Sequence, residues 1–393
     1  MKIAVIGSKG LPPHQGGIEH HCAEIYPRMV AAGHRVDLFA RSSYNSGSDK
    51  VLNYRGVNVI TVPSVRVKGI DALVCSGLSA TLATFKASQR GPYDIVHFHA
   101  LGPSLFTPLP KLFSSAKVLT TCHGLDWRRA KWGGFSSRVI KTGEQTAVRY
   151  ADQMVVVSEA LRDYFYRTYS REAIYIENAP VTYADSDSTF GFCRSLGLTP
   201  KQYIVFIGRL VPEKRVDLLI DAFNRLKPRG WKLALVGDRS DTDAFATQLL
   251  QTAGTNSNIL FTGELQGAQL AEMVRGAGLF ALPSDVEGLP LALLEAMQEG
   301  IPVVVSDIPV HRQVVGSSKG LMFKAGDLSD LQDRLGWAIT HPKQMSRLSY
   351  RAEAYVRSHH NWNTITDKYI ALYESLLNIQ TREMAPVRVG AKR

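Results

Sequence analysis

The chain has 393 residues, 45% apolar and 21% charged, which is enough for two globular domains of ordinary size. No run of 18 apolar residues occurs, so a spanning helix is excluded. The net charge of +11 is lopsided: residues 1–180 hold 22 Lys and Arg against 13 Asp and Glu, and the remainder holds 24 against 22.

The first apolar run, 3–6, is closed at once by Gly7. It is too short for a signal peptide and reads as a buried strand. Similar β-branched runs follow at 36–39, 59–62, 95–98, 118–121 and 154–157, with helical spacing between them, as at 19–32 and 137–150. Runs that are apolar on both faces predict a parallel sheet, and Gly33 reads as the stop of the first helix. Residues 179–200, rich in Ser, Thr, Asp and Pro, read as a linker. A second series begins there, with strands at 203–207, 233–236, 259–261, 279–282 and 303–305 and helices at 216–226, 244–253, 290–300 and 328–339. Two such series predict two doubly wound domains that face each other across a cleft, with ligands at the strand C-ends. A last helical stretch, 362–377, spaces Ile365, Tyr369, Leu372, Tyr373 and Leu376 along one face, and the basic tail 381–393 reads as disordered. Cys22, Cys75, Cys122 and Cys193 lack CxxC spacing and scaffold density, which predicts a reduced cytoplasmic protein.

Four stretches carry chemistry. Gly7 to Glu19 follows a strand and opens a helix, and its glycines let backbone amides approach a phosphate. It is neither a GxGxxG fingerprint nor a Walker A loop. Gly208-Arg209-Leu210-Val211-Pro212-Glu213-Lys214-Arg215 is placed alike in the second half. There Arg209 and Lys214 can reach one point above the strand ends, as two cations suited to a diphosphate leaving group. His97-Phe98-His99 and Thr121-Cys122-His123-Gly124-Leu125-Asp126-Trp127 close two strands. Zinc is set aside because no carboxylate or cysteine stands at ligand spacing, and His97 reads as a packed strand histidine. Ser284 to Met297 sets Glu287 and Glu295 eight residues apart around Gly288-Leu289-Pro290. Pro290 suits the first helical position, which puts Glu287 in the loop before the helix and Glu295 about one and a half turns inside it.

Arg128, Arg129, Lys131, Arg138, Lys141 and Arg149 interleave with Trp127 and Trp132. Such a surface suits an anionic membrane face or an acidic acceptor. Nucleic acid is not expected, because no binding motif accompanies the charge.

In this order, and over nearly the whole chain, these stretches resemble the retaining glycosyltransferases of family 4 (glycosyltransferase group 1). The resemblance implies an α/β protein of GT-B fold: two Rossmann-like doubly wound domains, an interdomain cleft and a C-terminal crossover helix. Residues 1–185 would be the acceptor-side domain, 200–355 the nucleotide-sugar domain and 356–380 the helix crossing back. The implied reaction moves a sugar from a nucleotide diphosphate sugar to an acceptor hydroxyl with retention, in exopolysaccharide or cell-envelope glycan or glycolipid synthesis. Carried over residue by residue, Glu287 and His123 lie by the donor sugar and Glu295 on the ribose. Arg209 and Lys214 neutralise the diphosphate, and Gly16 and Gly17 face it. Gly288, Leu289, Gly237, Glu264 and Leu265 fall on loops that hold sugar, phosphate and base in relatives, and His99 and Asp126 fall on the acceptor side. The glycine common after the lysine is Arg215 here.

The expected partners are a nucleotide-sugar donor and a glycan or lipid-linked acceptor, with no cofactor. No metal is expected either, because the two cations do the neutralising. Asp185-Ser186-Asp187 and Asp241-Thr242-Asp243 have a metal motif's spacing but lie in linker-like and helix-start sequence. The competing readings are a nucleotide-sugar epimerase of the same fold and a non-catalytic sugar-nucleotide-binding subunit. The expected location is the cytoplasm, peripheral on the inner membrane face if the basic half docks there.

Overall fold

The computed structural model describes residues 1–13, 16–45, 51–65, 70–85, 91–128, 134–237 and 243–378. The tail 381–393, together with Arg129, Lys131, Trp132 and Asp241, lies outside the described residues.

The short two-sided apolar runs pair into two sheets. The first holds β1 (Lys2–Ile6), β2 (Arg35–Arg41), β3 (Asn53–Tyr54), β4 (Val57–Val62), β5 (Ile95–His99), β6 (Lys117–Cys122), β7 (Gln153–Val156) and β8 (Ile174–Tyr175). Their order is β3-β4-β2-β1-β5-β6-β7-β8, and only the β3–β4 pair is antiparallel. The second holds β9 (Tyr203–Ile207), β10 (Lys232–Val236), β11 (Ile259–Gly263), β12 (Leu279–Leu282), β13 (Val303–Ser306) and β14 (Leu321–Phe323) in the order β11-β10-β9-β12-β13-β14, all parallel. β3, β8 and β14 were not expected from the sequence. Each is a two- or three-residue edge strand, too short to show a period of two. The strand order reverses between β1 and β5 in one sheet and between β9 and β12 in the other. These reversals are where such sheets open a crevice for ligands.

Helices cover the sheets, among them α1 (Gly17–Ala31), α2 (Ile70–Phe85), α3 (Pro108–Phe113) and α4 (Gly134–Tyr150). α1 stops as its sequence predicts. Gly33 takes φ 89°, and the Gly33 and His34 amides return to the Val30 and Met29 carbonyls at 2.9 and 3.0 Å. Pro290 departs from expectation. It has φ −75° and ψ 108°, an extended conformation, so it precedes the helix Leu291–Gln298 and caps it. Its carbonyl accepts from the Leu293 and Leu294 amides.

The helix Pro342–His359 packs on Leu291–Gln298. The chain then crosses to the first sheet. His360 Nδ1 donates to the Asn178 carbonyl at 2.6 Å and Trp362 Nε1 to that of Pro180 at 3.0 Å. Asn361 caps the helix Trp362–Leu376 by accepting from the Asn363 amide. Ile365, Tyr369 and Tyr373 of that helix are fully buried in one core with Val5, Tyr26 and Leu119. Among the described residues no helix is long and apolar enough to cross a membrane.

Trp362 is 7% exposed, so Trp362→Ala should cost about 3–5 kcal/mol. Tyr350→Ala, at a side chain 74% exposed, should stay within about 0.5 kcal/mol. Urea unfolding of both variants checks the contrast.

Candidate active site

The two crevices face each other. In the first sheet the loop after β1 runs to Gly16, whose φ of 98° sets the entry into α1. Glu19, buried in the first turn of α1, reaches back and accepts from the Lys9 amide at 2.9 Å. Gly7 lies against the His99 carbonyl, with no room for a Cβ. The glycine loop and the end of β5 are therefore in backbone contact.

The histidines at the ends of β5 and β6 form a buried chain. His97 Nε2 lies 2.8 Å from Thr121 Oγ1, and its Nδ1 lies 2.7 Å from the Tyr373 hydroxyl and 3.0 Å from that of Tyr26. Tyr26 is also 2.6 Å from His99 Nε2, and His99 Nδ1 is 2.9 Å from His123 Nε2. Burial lowers the His97 pKa to about 3 and that of His21 to about 4, and it pushes His99 well below the usual range with help from His97, His123 and His21. His21, His97 and His99 are thus neutral at physiological pH. Only one proton can sit between His99 and His123, so the tautomer of one fixes that of the other. Ring nitrogens of His21, His99 and His123 all lie within 4.8 Å of one another, as a metal site would need. Metal–nitrogen bonds of about 2.0–2.1 Å would set such atoms about 3.3 Å apart. Here two of the three share a hydrogen bond, whose proton a metal would have to displace, and the third, His21, has its buried Nε2 without a hydrogen-bond partner among the described residues.

In the second sheet three loops are stitched together. The Gly208 amide donates to the Val236 carbonyl at 3.0 Å, and the Gly237 amide to that of Gly263 at 2.9 Å. A Cβ on Gly237 would overlap the Gly208 carbonyl. Arg209 follows directly. Lys214 closes a 3-10 turn, Pro212–Lys214, and its Nζ pairs with Glu287 Oε1, which also accepts from Ser284 Oγ at 2.7 Å. The Asp285 amide donates to the Glu213 carbonyl at 2.9 Å, so the loops after β9 and β12 are joined by backbone as well. Burial would raise the Glu287 carboxyl, but Lys214, with smaller help from His311 and Ser284, outweighs it and holds the pKa below the ordinary value. The Glu287 carboxylate is therefore ionised at neutral pH. Glu213, beside it, is buried, and both its carboxylate oxygens lack a hydrogen-bond partner among the described residues. The sequence reading did not single out Glu213; an acid between Pro212 and Lys214 was the available signal.

Gly288 joins the walls. It sits against the His123 carbonyl, where a Cβ would overlap the oxygen. Gly17, at the start of α1, faces Leu291, at the start of the opposing helix. Leu289 is buried next to Gly288. Arg209, Lys214, Gly237, Glu287, Gly288 and Leu289 thus gather at one crevice, and His99, His123, Gly16 and Gly17 at the other. Glu295 lies in the helix Leu291–Gln298 that follows these residues, where the linker holds it. It accepts from the Tyr183 hydroxyl at 2.8 Å and from the Val181 amide, both on the linker. Glu264 is exposed and accepts from Gln266 at 3.2 Å, while Leu265 packs on the main core. Asp126 opens the 3-10 turn Asp126–Arg128, three residues beyond His123.

The basic stretch after β6 does not present its described aromatic to solvent. Trp127 Nε1 donates to the buried Glu144 at 2.8 Å, and Lys141 pairs with Glu144 at 2.6 Å while lying 4.3 Å over the Trp127 ring. Tyr164 and Tyr169 also donate to Glu144. A buried carboxylate needs these donors, and they draw the cation and the indole inward.

The family described as Glycosyl transferases group 1 matches residues 194–355, and Glycosyltransferase Family 4 matches residues 15–178. The chain is 25% identical over 386 residues to the D-inositol 3-phosphate glycosyltransferase of Gordonia bronchialis, covering 91% of this chain and 83% of that one. It is 25% identical over 374 residues to the phosphatidyl-myo-inositol mannosyltransferase of Mycolicibacterium smegmatis, covering 92% and 90%. The solved structure of Anabaena HepE in complex with UDP and glucose superposes with a TM-score of 0.78 at 19% identity, covering 95% and 100%.

Burial raises the Glu295 carboxyl from 4.5 to about 6, against the opposing bonds from Tyr183 and Val181. The folded protein therefore holds this proton more tightly than the unfolded chain does. The resulting stability is whole below the ordinary value and is lost as pH rises through the raised one. Relative to Glu295→Gln, the wild type should lose about 2 kcal/mol across that window, measured by urea unfolding at its two ends.

Proposed function

The chain belongs to the group 1, family 4 glycosyltransferases and takes its sugar from a nucleotide-sugar donor, and from that premise we propose that it transfers the sugar with retained anomeric configuration to a hydroxyl of a glycan or lipid-linked acceptor in envelope or exopolysaccharide synthesis. The observation that carries the reading is the Lys214–Glu287 pair at the second crevice, set opposite His123 by the Gly288 contact. The name of the mannosyltransferase relative, which specifies a phosphatidyl-inositol acceptor, supports a lipid-linked acceptor here.

On this reading the donor diphosphate lies between Arg209 and Lys214 and the amides that follow Gly16 and Gly17. Two cations and a helix N-terminus stabilise charge as it builds on the leaving oxygen. The bond from C1 of the sugar to the diphosphate oxygen breaks, and the electron pair leaves with the diphosphate. The acceptor oxygen bonds to C1 on the same face, and its proton passes to the departing phosphate oxygen. Lys214 exchanges Glu287 for the phosphate, which frees Glu287 to orient a donor hydroxyl beside His123. Glu295 takes the ribose, with Gly237, Glu264 and Leu265 around the phosphate and base. No metal is needed, because the cations do the neutralising.

A thermal-shift panel of UDP-, GDP-, ADP- and dTDP-sugars without added metal tests the site, with UDP-glucose first because a HepE structure is described with it. One nucleotide at about 100 times its Kd should stabilise the fold by about 2.7 kcal/mol, and Glu295→Ala should weaken the shift. No shift with any nucleotide, in a folded sample, would overturn the reading. Lys214→Ala should lower kcat/KM by about 10²–10³ in a donor-consumption assay.

A further inference from the structure

Three separate elements each bring one histidine to the same point. His21 lies one turn into α1, His99 ends β5 and His123 follows β6. No spacing in the sequence joins them, because only the fold does. Their ring centroids form a nearly equilateral triangle, with sides of 4.9 Å for His21–His123, 5.2 Å for His99–His123 and 5.4 Å for His21–His99. Three imidazoles on one tetrahedral ion, with metal–nitrogen bonds of about 2.0–2.1 Å, hold their centroids about 5.2 Å apart. The rings therefore stand where a shared ion would hold them. A ring nitrogen of each lies within 4.8 Å of the others. The remaining approach, to about 3.3 Å, is a matter of ring rotation rather than of backbone movement.

The bonds around the triangle fix which nitrogens can face an ion. An amide oxygen only accepts, so His21 Nδ1 donates to Asn178 Oδ1 at 2.8 Å. The Nε2 lone pair is what His21 has left, and that atom is buried with no hydrogen-bond partner among the described residues. A buried polar atom left so costs free energy, which a ligand would recover. His99 Nε2 lies 2.6 Å from the Tyr26 hydroxyl. With Nε2–H donating there, His99 Nδ1 offers its lone pair. Each ring then keeps one proton, on the nitrogen turned away from the ion. Binding moves the proton now between His99 Nδ1 and His123 Nε2 to the outer nitrogen of the ring that carries it, and none is released. Asn178 and Tyr26 stand as the outer partners that orient metal-bound histidines. His123 is the half-buried member of the three, so the fourth position opens on the cleft, where a water or an anion completes the shell.

We propose that His21, His99 and His123 form a binding site for an imidazole-preferring divalent metal ion, zinc foremost. Three neutral imidazoles with one open position are a zinc donor set that needs no carboxylate or thiolate, and they do not suit magnesium or calcium, which take oxygen ligands. The ion has no part in the proposed transfer, whose charge Arg209 and Lys214 neutralise. It works against it: a metal-bound His123 is withdrawn from the donor sugar. That consequence rests on the proposed function, and the site itself does not.

Isothermal titration calorimetry of the full chain with Zn²⁺ and with Mg²⁺ tests the site, and Co²⁺ is a second probe whose visible absorption reports tetrahedral coordination. Wild type should bind zinc at least about 100-fold more tightly than magnesium and give the tetrahedral cobalt bands. Asn178→Ala keeps all three ligands and loses only the bond that orients His21, so it should weaken zinc by about 10–100-fold, and His21→Gln by about 100-fold or more. His34→Gln, at a histidine 3.3 Å from the N-terminal amine, should bind as wild type does. Should both buried variants fail to fold, the cobalt spectrum of wild type decides alone. A wild type that takes up no zinc, zinc binding that survives both Asn178→Ala and His21→Gln, or an octahedral cobalt spectrum would overturn the proposal. Zinc should also slow donor consumption by wild type and leave His21→Gln at its own metal-free rate; equal slowing of both would overturn the competition at His123. A protein that binds zinc as stated but consumes no donor would sink the proposed function and leave the metal site standing.

Discussion

The arrangement of the cleft depends on a contact without a side chain. Gly288 of the second domain rests on the His123 carbonyl of the first, and any Cβ would hold them apart. Because backbone meets backbone there, the two strand-order reversals come to face each other. Lys214, Glu287 and the loop behind them then look onto the strand-end histidines, and the first turn of α1 faces Leu291. A methyl group is small in energy but large in geometry at such a point, since it moves one whole domain relative to the other.

Two kinds of electrostatics meet across that contact. On one side His97 and His99 are neutral, buried and locked by hydroxyls from α1 and from the crossover helix. They offer fixed dipoles and no net charge. On the other side a cation and a carboxylate neutralise each other at close range. A buried pair of this kind adds little net stability over an apolar one, but it holds a cation in place at low local field until an anion arrives. In the proposed reaction the arriving diphosphate is that anion, and the exchange of partners releases a carboxylate where the sugar lies.

Much of this was legible in the sequence. Strands buried on both faces declare themselves as continuous apolar runs, so the central strands lie where the runs lie. The glycine loops and the Arg209–Lys214 spacing also sit at strand ends, as expected. What escaped were edge strands such as β8 and β14, and pairings that depend on folding distant segments together. Nothing local to Glu295 tells that a tyrosine 112 residues away bonds it. Trp127 and Lys141 read as an exposed basic–aromatic surface because Glu144 is one acid among several cations, and only the fold shows that it is buried and gathers both.

The crossover helix also bears on how the protein is made. The core around Val5 and Tyr26 is completed by Ile365, Tyr369 and Tyr373, which are synthesised after both sheets. Domains fold as units during synthesis, ordinarily from the N-terminus onward. Here the domain begun first must wait on the ribosome for its final wall, while residues of the second sheet emerge and can assemble in the interval. A chain broken off before Trp362 would therefore strand the earlier domain with an open apolar core and send it to proteolysis, even though both of its crevice loops had been translated intact.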